Sequence, residues 1–281
     1  MKPILTAEEQ SLPHHNMIWV EGGAFIMGSP EDDADAYNDE RPAHEVKAPG
    51  FYIGQFPVTL GLWQAVMPIE LTLFGWKSIA YPIVEVSWYD VLVFCNRLSE
   101  YSGRPPCYYT DDKFSKVYGR VETDVWELPN TGPVYLNAHA GGYRIPTEAE
   151  WEFAARGGVR SEGYKYAGSD ILREVGWYSD NIDNNAKEVR GKYANELGLF
   201  DMSGNVWELC EDQWHDDYNG APKDGSAWTD LSEQGIDRVV RGGGCLNEQR
   251  LCRVACRLHC GPDRRLDDLG FRLVLSFLQS G

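Results

Sequence analysis

Four of the seven cysteines, Cys245, Cys252, Cys256 and Cys260, crowd into the last part of the chain, with His259 among them. Thiolates attack electrophiles and hold soft metals, so this cluster is where the sequence comes nearest to reactive chemistry. Zinc fails on ligand count: Cys256, His259 and Cys260 give a compact C-x2-H-C with no fourth ligand and no paired knuckle. His259 then reads as an exposed loop residue. Seven cysteines cannot all pair within one chain. Cys95 falls in an amphipathic segment and reads as a small hydrophobe, while Cys107 and Cys210 lack metal-ligand spacing. The six histidines are scattered, and the sequence has no H-E-x-x-H, no phosphate-binding glycine loop and no G-x-S-x-G.

The elements that would position these residues are short. Residues 17–28 read as a strand pair, residues 51–55 as a strand, and Thr59 as the cap of a helix. Ser87, with Asp90 three residues on, opens the longest helix; Trp88, Val91, Phe94, Cys95 and Leu98 form its apolar face and Gly103 ends it. Thr147 and Glu150 form a capping box, and Gly157 supplies a left-handed stop. Residues 160–192 are polar and turn-rich, and strands return at 238–241, 252–255 and 270–277. Ten tryptophans, fifteen tyrosines and 29 glycines fit aromatic clusters held by tight turns, and Trp151, Trp177, Trp207 and Trp214 are expected to fill spaces between loops. Arg144 and Arg241 read as structural cations. No linker or repeat divides the 281 residues, so a single domain over 1–281 is expected.

A net charge of -17 excludes a nucleic-acid backbone or an anionic membrane surface as partner. The acidic runs at 31–35 and 211–217 are solvated loops or a carboxylate cluster that holds a cation. No stretch approaches the roughly 18 apolar residues of a membrane span. The first residues have no apolar core of signal-peptide type, so a leader, if there is one, lies outside this sequence.

The segments GGAFIMGS, ERPAHEVKAPGFYIGQFPVT, PIVEVSWYDVLVFCNRLSE, YRIPTEAEWEFAARGG, ELGLFDMSGNVWELCED, RVVRGG and GFRLV follow one another over residues 18–275. In that order they resemble the motifs of the formylglycine-generating enzyme (sulfatase-modifying factor) family. The resemblance implies an α+β, C-type-lectin-like fold of the formylglycine-generating subtype, irregular, with a small antiparallel sheet. It also implies a copper-binding cysteine pair in active members. Here Asn247 stands at the first of those positions and Cys252 at the second, while Cys245 is seven residues from Cys252. Asparagine cannot form a thiolate, so the pair is broken. The family further implies a calcium loop in DMSGNVWE, with oxygens from Asp201, Ser203, Gly204, Val206 and Glu208 holding a structural ion; otherwise Asp201 caps a turn and Glu208 pairs with an arginine. No other cofactor is implied.

Between the framework fragments of the tail lie Cys245, Leu246, Arg250, Leu251, Cys256, Leu258, His259, Cys260, Gly261, Arg264, Leu266, Asp267 and Asp268, which follow neither strand nor helix period. This interleaving resembles the variable proteins of diversity-generating retroelements, in which adenines of AAC codons are rewritten. Codons reached that way end in C and cannot encode Glu, Gln, Lys, Met or Trp, none of which occurs at those positions. Gly244 is reachable too, whereas Glu248 and Gln249 count as framework. The expectation is a non-catalytic binding protein, secreted or displayed at the cell surface, whose cassette at about 238–277 offers one contiguous, accessible patch to an unknown protein or cell-surface ligand. The competing expectation is a copper-dependent formylglycine-generating or related oxidase built on Cys252.

Overall fold

A computed structural model describes residues 12, 15–67, 78–122, 125–129, 131–182, 185–230 and 235–276. Two four-stranded sheets organise it. The first runs in the order Met17–Val20, Phe51–Gly54, Val274–Ser276 and Tyr143–Arg144, all antiparallel. The second runs Arg257–Cys260, Arg238–Arg241, Trp207–Gln213 and Leu269–Gly270, the last pair parallel. Three two-stranded ribbons lie outside them.

The three longest helices start where a side chain satisfies their first free N–H groups. Thr59 caps Leu60–Val66, and Ser87 with Asp90 forms a capping box on Trp88–Tyr101. Thr147 with Glu150 does the same on Glu148–Ala155, and Gly157, at φ 90°, takes the left-handed turn beyond it. The Trp88–Tyr101 helix buries Val91, Phe94, Cys95 and Leu98 in the main core, where Trp63 stacks on Phe94 with ring centroids 5.0 Å apart. A second cluster joins Phe51, Ile53, Trp151, Phe153, Val239 and Val274. Trp151 and Trp207 are buried, whereas Trp177 and Trp214 are only partly so.

Three strand expectations need correction. Met17–Val20 and Gly23–Met27 do not pair with each other; the first joins Phe51–Gly54 and the second His44–Ala48. Residues 252–255 form no strand: a single turn at Gln249–Cys252 precedes them, and the strand comes later, at Arg257–Cys260. The final strand is split into Leu269–Gly270 and Val274–Ser276, which serve different sheets; the end of that expected strand at Phe277 lies outside the described residues. In each case partners distant in sequence set the pairing, and local alternation does not encode them.

Candidate ligand-binding face

Arginines hold the tail from beneath. The Glu148–Ala155 helix is buried along its whole length, three carboxylates included. Glu148 receives Arg257 Nε at 2.8 Å and Nη2 at 2.9 Å, and pairs with Arg241 at 3.2 Å. Glu152 receives Arg241 and Arg156, and Glu150 receives Arg144 Nη2 at 2.6 Å. Arg253 reaches Glu40 through two bonds of 2.8 and 2.5 Å, and Arg272 grips Glu208 through Nε and Nη2. A buried ion is tolerated only when paired and hydrogen-bonded, so none of these arginines can be exchanged alone. The segments RVVRGG, CRVA and GFRLV, which contain Arg241, Arg253 and Arg272, are thus fixed by charge as well as by packing.

On that base stand the residues between the fragments. Leu246, Leu258 and Leu266 are 46%, 40% and 44% exposed, and Arg264 and Asp267 are exposed beside Leu266. The loop at 261–268 is held by its backbone: Trp88 N–H donates to Pro262 O at 3.1 Å and Glu85 N–H to Leu266 O at 2.9 Å. Arg265, outside the variable set, clasps Asp90 with bonds of 2.8 and 2.9 Å. These anchors leave the loop shape independent of the side chains at 264, 266 and 267. Gly244 is buried; a Cβ there meets Asp268 Oδ2 at 2.8 Å and Trp207 Cδ1 at 3.2 Å, so Gly244 and Asp268 adjoin over Trp207. Asp268 is half-buried, and that burial raises its carboxyl above the usual range. Gly261 is half-buried and abuts Arg264, while Leu251 and Cys260 are half-buried against the main core.

Four positions depart from the expected patch. Cys245 and Cys256 are 2% and 0% exposed, the first packed with Val84, Ala186 and Val206, the second in the main core. Both are small and apolar enough to pack like alanine, which sequence alternation cannot reveal. Side chains alternate along Arg257–Cys260, so Leu258 and Cys260 lie on one side and Arg257 and His259 on the other. There the Arg257 guanidinium and the His259 ring each lie 4.5 Å from the Trp214 ring, and His259 Nδ1 is 2.5 Å from Asp237 Oδ2. Arg250 turns away too: its guanidinium lies 3.8 Å over Tyr37 and its Nε donates to Asp35 O at 2.7 Å.

A scaffold of buried arginines under exposed loops agrees with a comparison of the sequence against known families, in which residues 3–277 match the sulfatase-modifying factor enzyme 1-like domain. The chain belongs to this family. It is 32% identical to the chaperone protein LppX of Paenibacillus barcinonensis, over 93% of this chain and 89% of that one. It is 29% identical to the formylglycine-generating enzyme of Streptomyces coelicolor, over 89% and 86%. Among solved structures, Treponema denticola variable protein 1 superposes with a TM-score of 0.76 at 30% identity, over 92% and 94%. The architecture is therefore the α+β, C-type-lectin-like fold of the formylglycine-generating subtype.

Within this family frame, Asn247 is a turn residue. Its Oδ1 accepts from Gly244 N–H at 2.7 Å, and its own N–H donates to Gly244 O at 3.1 Å. Cys252 packs against Tyr166, Leu172, Val175 and Tyr178. Burial pushes the Cys245 thiol up to about 11 and Cys256 to about 12, and raises Cys252 further still. Burial thus disfavours the thiolate, the reactive form, at all three.

The oxygens expected to take calcium are already engaged. Asp201 Oδ2 accepts from Arg190 N–H at 2.9 Å and Oδ1 from Asn205 Nδ2 at 3.3 Å. Ser203 Oγ accepts from Ala167 N–H at 3.1 Å, Gly204 O accepts from Val206 N–H at 3.1 Å, and the Val206 side chain is buried among apolar groups. Both oxygens of Glu208 receive Arg272, and Oε2 also receives the Trp151 indole at 2.8 Å. Arg272 supplies the positive charge that an ion would bring. For Asp201, Ser203, Gly204 and Glu208 to take calcium these bonds would have to be lost; Asp201 holds a turn at φ 58° and Glu208 pairs with an arginine. Among the described residues, no three His, Cys, Asp or Glu side chains converge to hold a metal.

Proposed function

We propose that this chain is a non-catalytic binding member of its family, secreted or displayed at the cell surface, whose ligand contacts a diversity-generating retroelement replaces. One observation carries the reading: along one stretch, buried ion-paired arginines alternate with exposed side chains of unrelated character. Leu246, Leu258 and Leu266 beside Arg264 and Asp267 display apolar and charged groups together, the composition of a protein-binding surface. Because the loop backbones and the arginines carry the fold, these contacts can change without loss of structure. Gly244, Leu251, Cys260, Gly261 and Asp268 border this patch, and His259 and Arg250 extend the variable set to its flanks. Cys245 and Cys256 tolerate only small apolar replacements. Likeness to a variable protein of Treponema denticola supports the reading, as does Asn247 in place of a thiolate. The partner is a protein or another cell-surface ligand, and at a net charge of -17 it is not a polyanion.

Sequencing copies of the gene from many cells of one strain tests this. Differences confined to the codons of the proposed positions, absent from Arg241, Arg253, Arg257 and Arg272, are the expected result. Substitutions scattered evenly along the gene refute diversification.

A further inference from the structure

Toward the Gln213 end of the Trp207–Gln213 strand lies a cavity of about 470 Å³. Trp88, Tyr108, Val134 and Leu136 give it apolar walls, and Arg238 and Glu211 give it a polar floor. Arg238 differs from the other tail arginines of the framework. Its Nη1 donates to Glu211 O at 2.8 Å and its guanidinium lies 3.8 Å over the Trp88 ring; its buried Nε, like that of Arg241, has no hydrogen-bond partner. Among the described residues no carboxylate pairs with it, whereas Arg241, Arg253, Arg257 and Arg272 each have one. Arg144, which also lines the cavity, is committed to Glu150. A half-buried guanidinium that lines a cavity without a carboxylate partner leaves a place for an acceptor of negative charge.

Glu211 lies beside this gap. Its Oε1 accepts from the Tyr108 hydroxyl, which itself accepts from Ile145 N–H at 3.0 Å. The charged and titratable groups around it are Tyr108, Arg144, Arg238 and Asp212, with Cys95 and Cys107 behind Tyr108. Asp212 turns the other way, accepting from Glu148 N–H and Trp228 N–H at 2.7 and 2.8 Å. Asp224 and His139 stand at the exposed mouth.

We propose that this cavity is a second binding site, one for small amphiphilic monocarboxylates, with the carboxylate on Arg238 and the apolar body among Trp88, Val134 and Leu136. Two carboxylates cannot share such a floor unless one is protonated, so Glu211 keeps a proton and donates it to the ligand. Burial already pushes Glu211 up to about 7, so the ligand draws on a form that is well populated near neutrality. The site uses none of the variable positions and stands or falls apart from the binding face.

Isothermal titration of the full chain with 3-phenylpropionate, 3-phenylpropanamide and 3-phenylpropylamine tests this. The carboxylate is expected to bind about tenfold more weakly at about pH 8 than at about pH 6, following the protonated fraction of Glu211, and the amide and amine are expected not to bind. Glu211→Gln should keep binding and lose the pH dependence, Arg238→Gln should lose binding, and Leu136→Trp should fill the cavity and abolish binding with the melting temperature retained. Binding of the amine in preference, binding of the carboxylate independent of pH, full binding by Leu136→Trp, or no binding of any probe overturns the proposal.

Discussion

Arg257 and Arg264 belong to one short stretch of chain, yet Arg257 is fully buried against Glu148 while Arg264 stands in solvent. Neutralising Glu148 strands the buried Arg257 and removes one of the two carboxylates that hold the buried Arg241. Glu148→Gln is therefore expected to lower stability in urea unfolding by about 3 to 5 kcal/mol, and Arg264→Ala to change it by less than about 0.5 kcal/mol. The thiols carry a second expectation at this scale. With Asn247 tied into a turn and Cys252 held as a thiol, copper and a sulfatase-type cysteine peptide should yield no aldehyde; conversion that Cys252→Ser abolishes contradicts this. Arg144 and Arg241 were legible as structural cations because each adjoins a recognisable turn or motif. Cys245 and Cys256 were not, because a cysteine carries no sign of which side it faces. Glu211 and Arg238 were missed for a related reason: Glu211 opens an acidic run that reads as a solvated loop or a cation-holding cluster, and only the tertiary structure buries it in a strand beside Arg238 at a cavity.

Helix starts were readable from sequence because a cap is a contact between residues three apart. Ser87, Thr147 and Gly157 act as expected, and Thr147→Ala should cost about 1 kcal/mol in thermal or urea unfolding. Strand pairing was less legible, since Arg257–Cys260 is defined by Arg238–Arg241, from which a long turn separates it. The Asp201–Glu208 loop, closed by Arg190, Asn205 and Arg272, gives a third expectation: melting curves with excess calcium and with chelator should coincide, and a shift between them restores the ion. Besides Glu211, two buried carboxyls add a pH dependence. Burial raises Asp201 to about 6 and Asp212 to about 7, from 3.8. Both hold protons more tightly folded than unfolded, so their contribution is full below the unfolded value and is lost as pH rises through about 6 and about 7. Asp212→Asn should flatten the decline in stability between about pH 5 and about pH 8; an unchanged slope shows that Asp212 is not its source.

At the scale of the molecule, the fold class and order of motifs were legible because glycine turns, caps and arginine positions recur along nearly the whole chain. The geometry of the variable set was legible only in part: Leu246, Leu258 and Leu266 are exposed with Arg264 and Asp267, but Arg250 and His259 point elsewhere. Separation of a fixed frame from replaceable contacts is the central claim, and truncating even one core leucine costs about 2 to 5 kcal/mol. The most direct test is a library in which positions 246, 258, 264, 266 and 267 are randomised together, with the melting temperature measured across its members. Most members are expected to melt within a few degrees of the parent sequence and, when displayed, to select different ligands. General loss of cooperative melting contradicts the account, because it makes these residues part of the core.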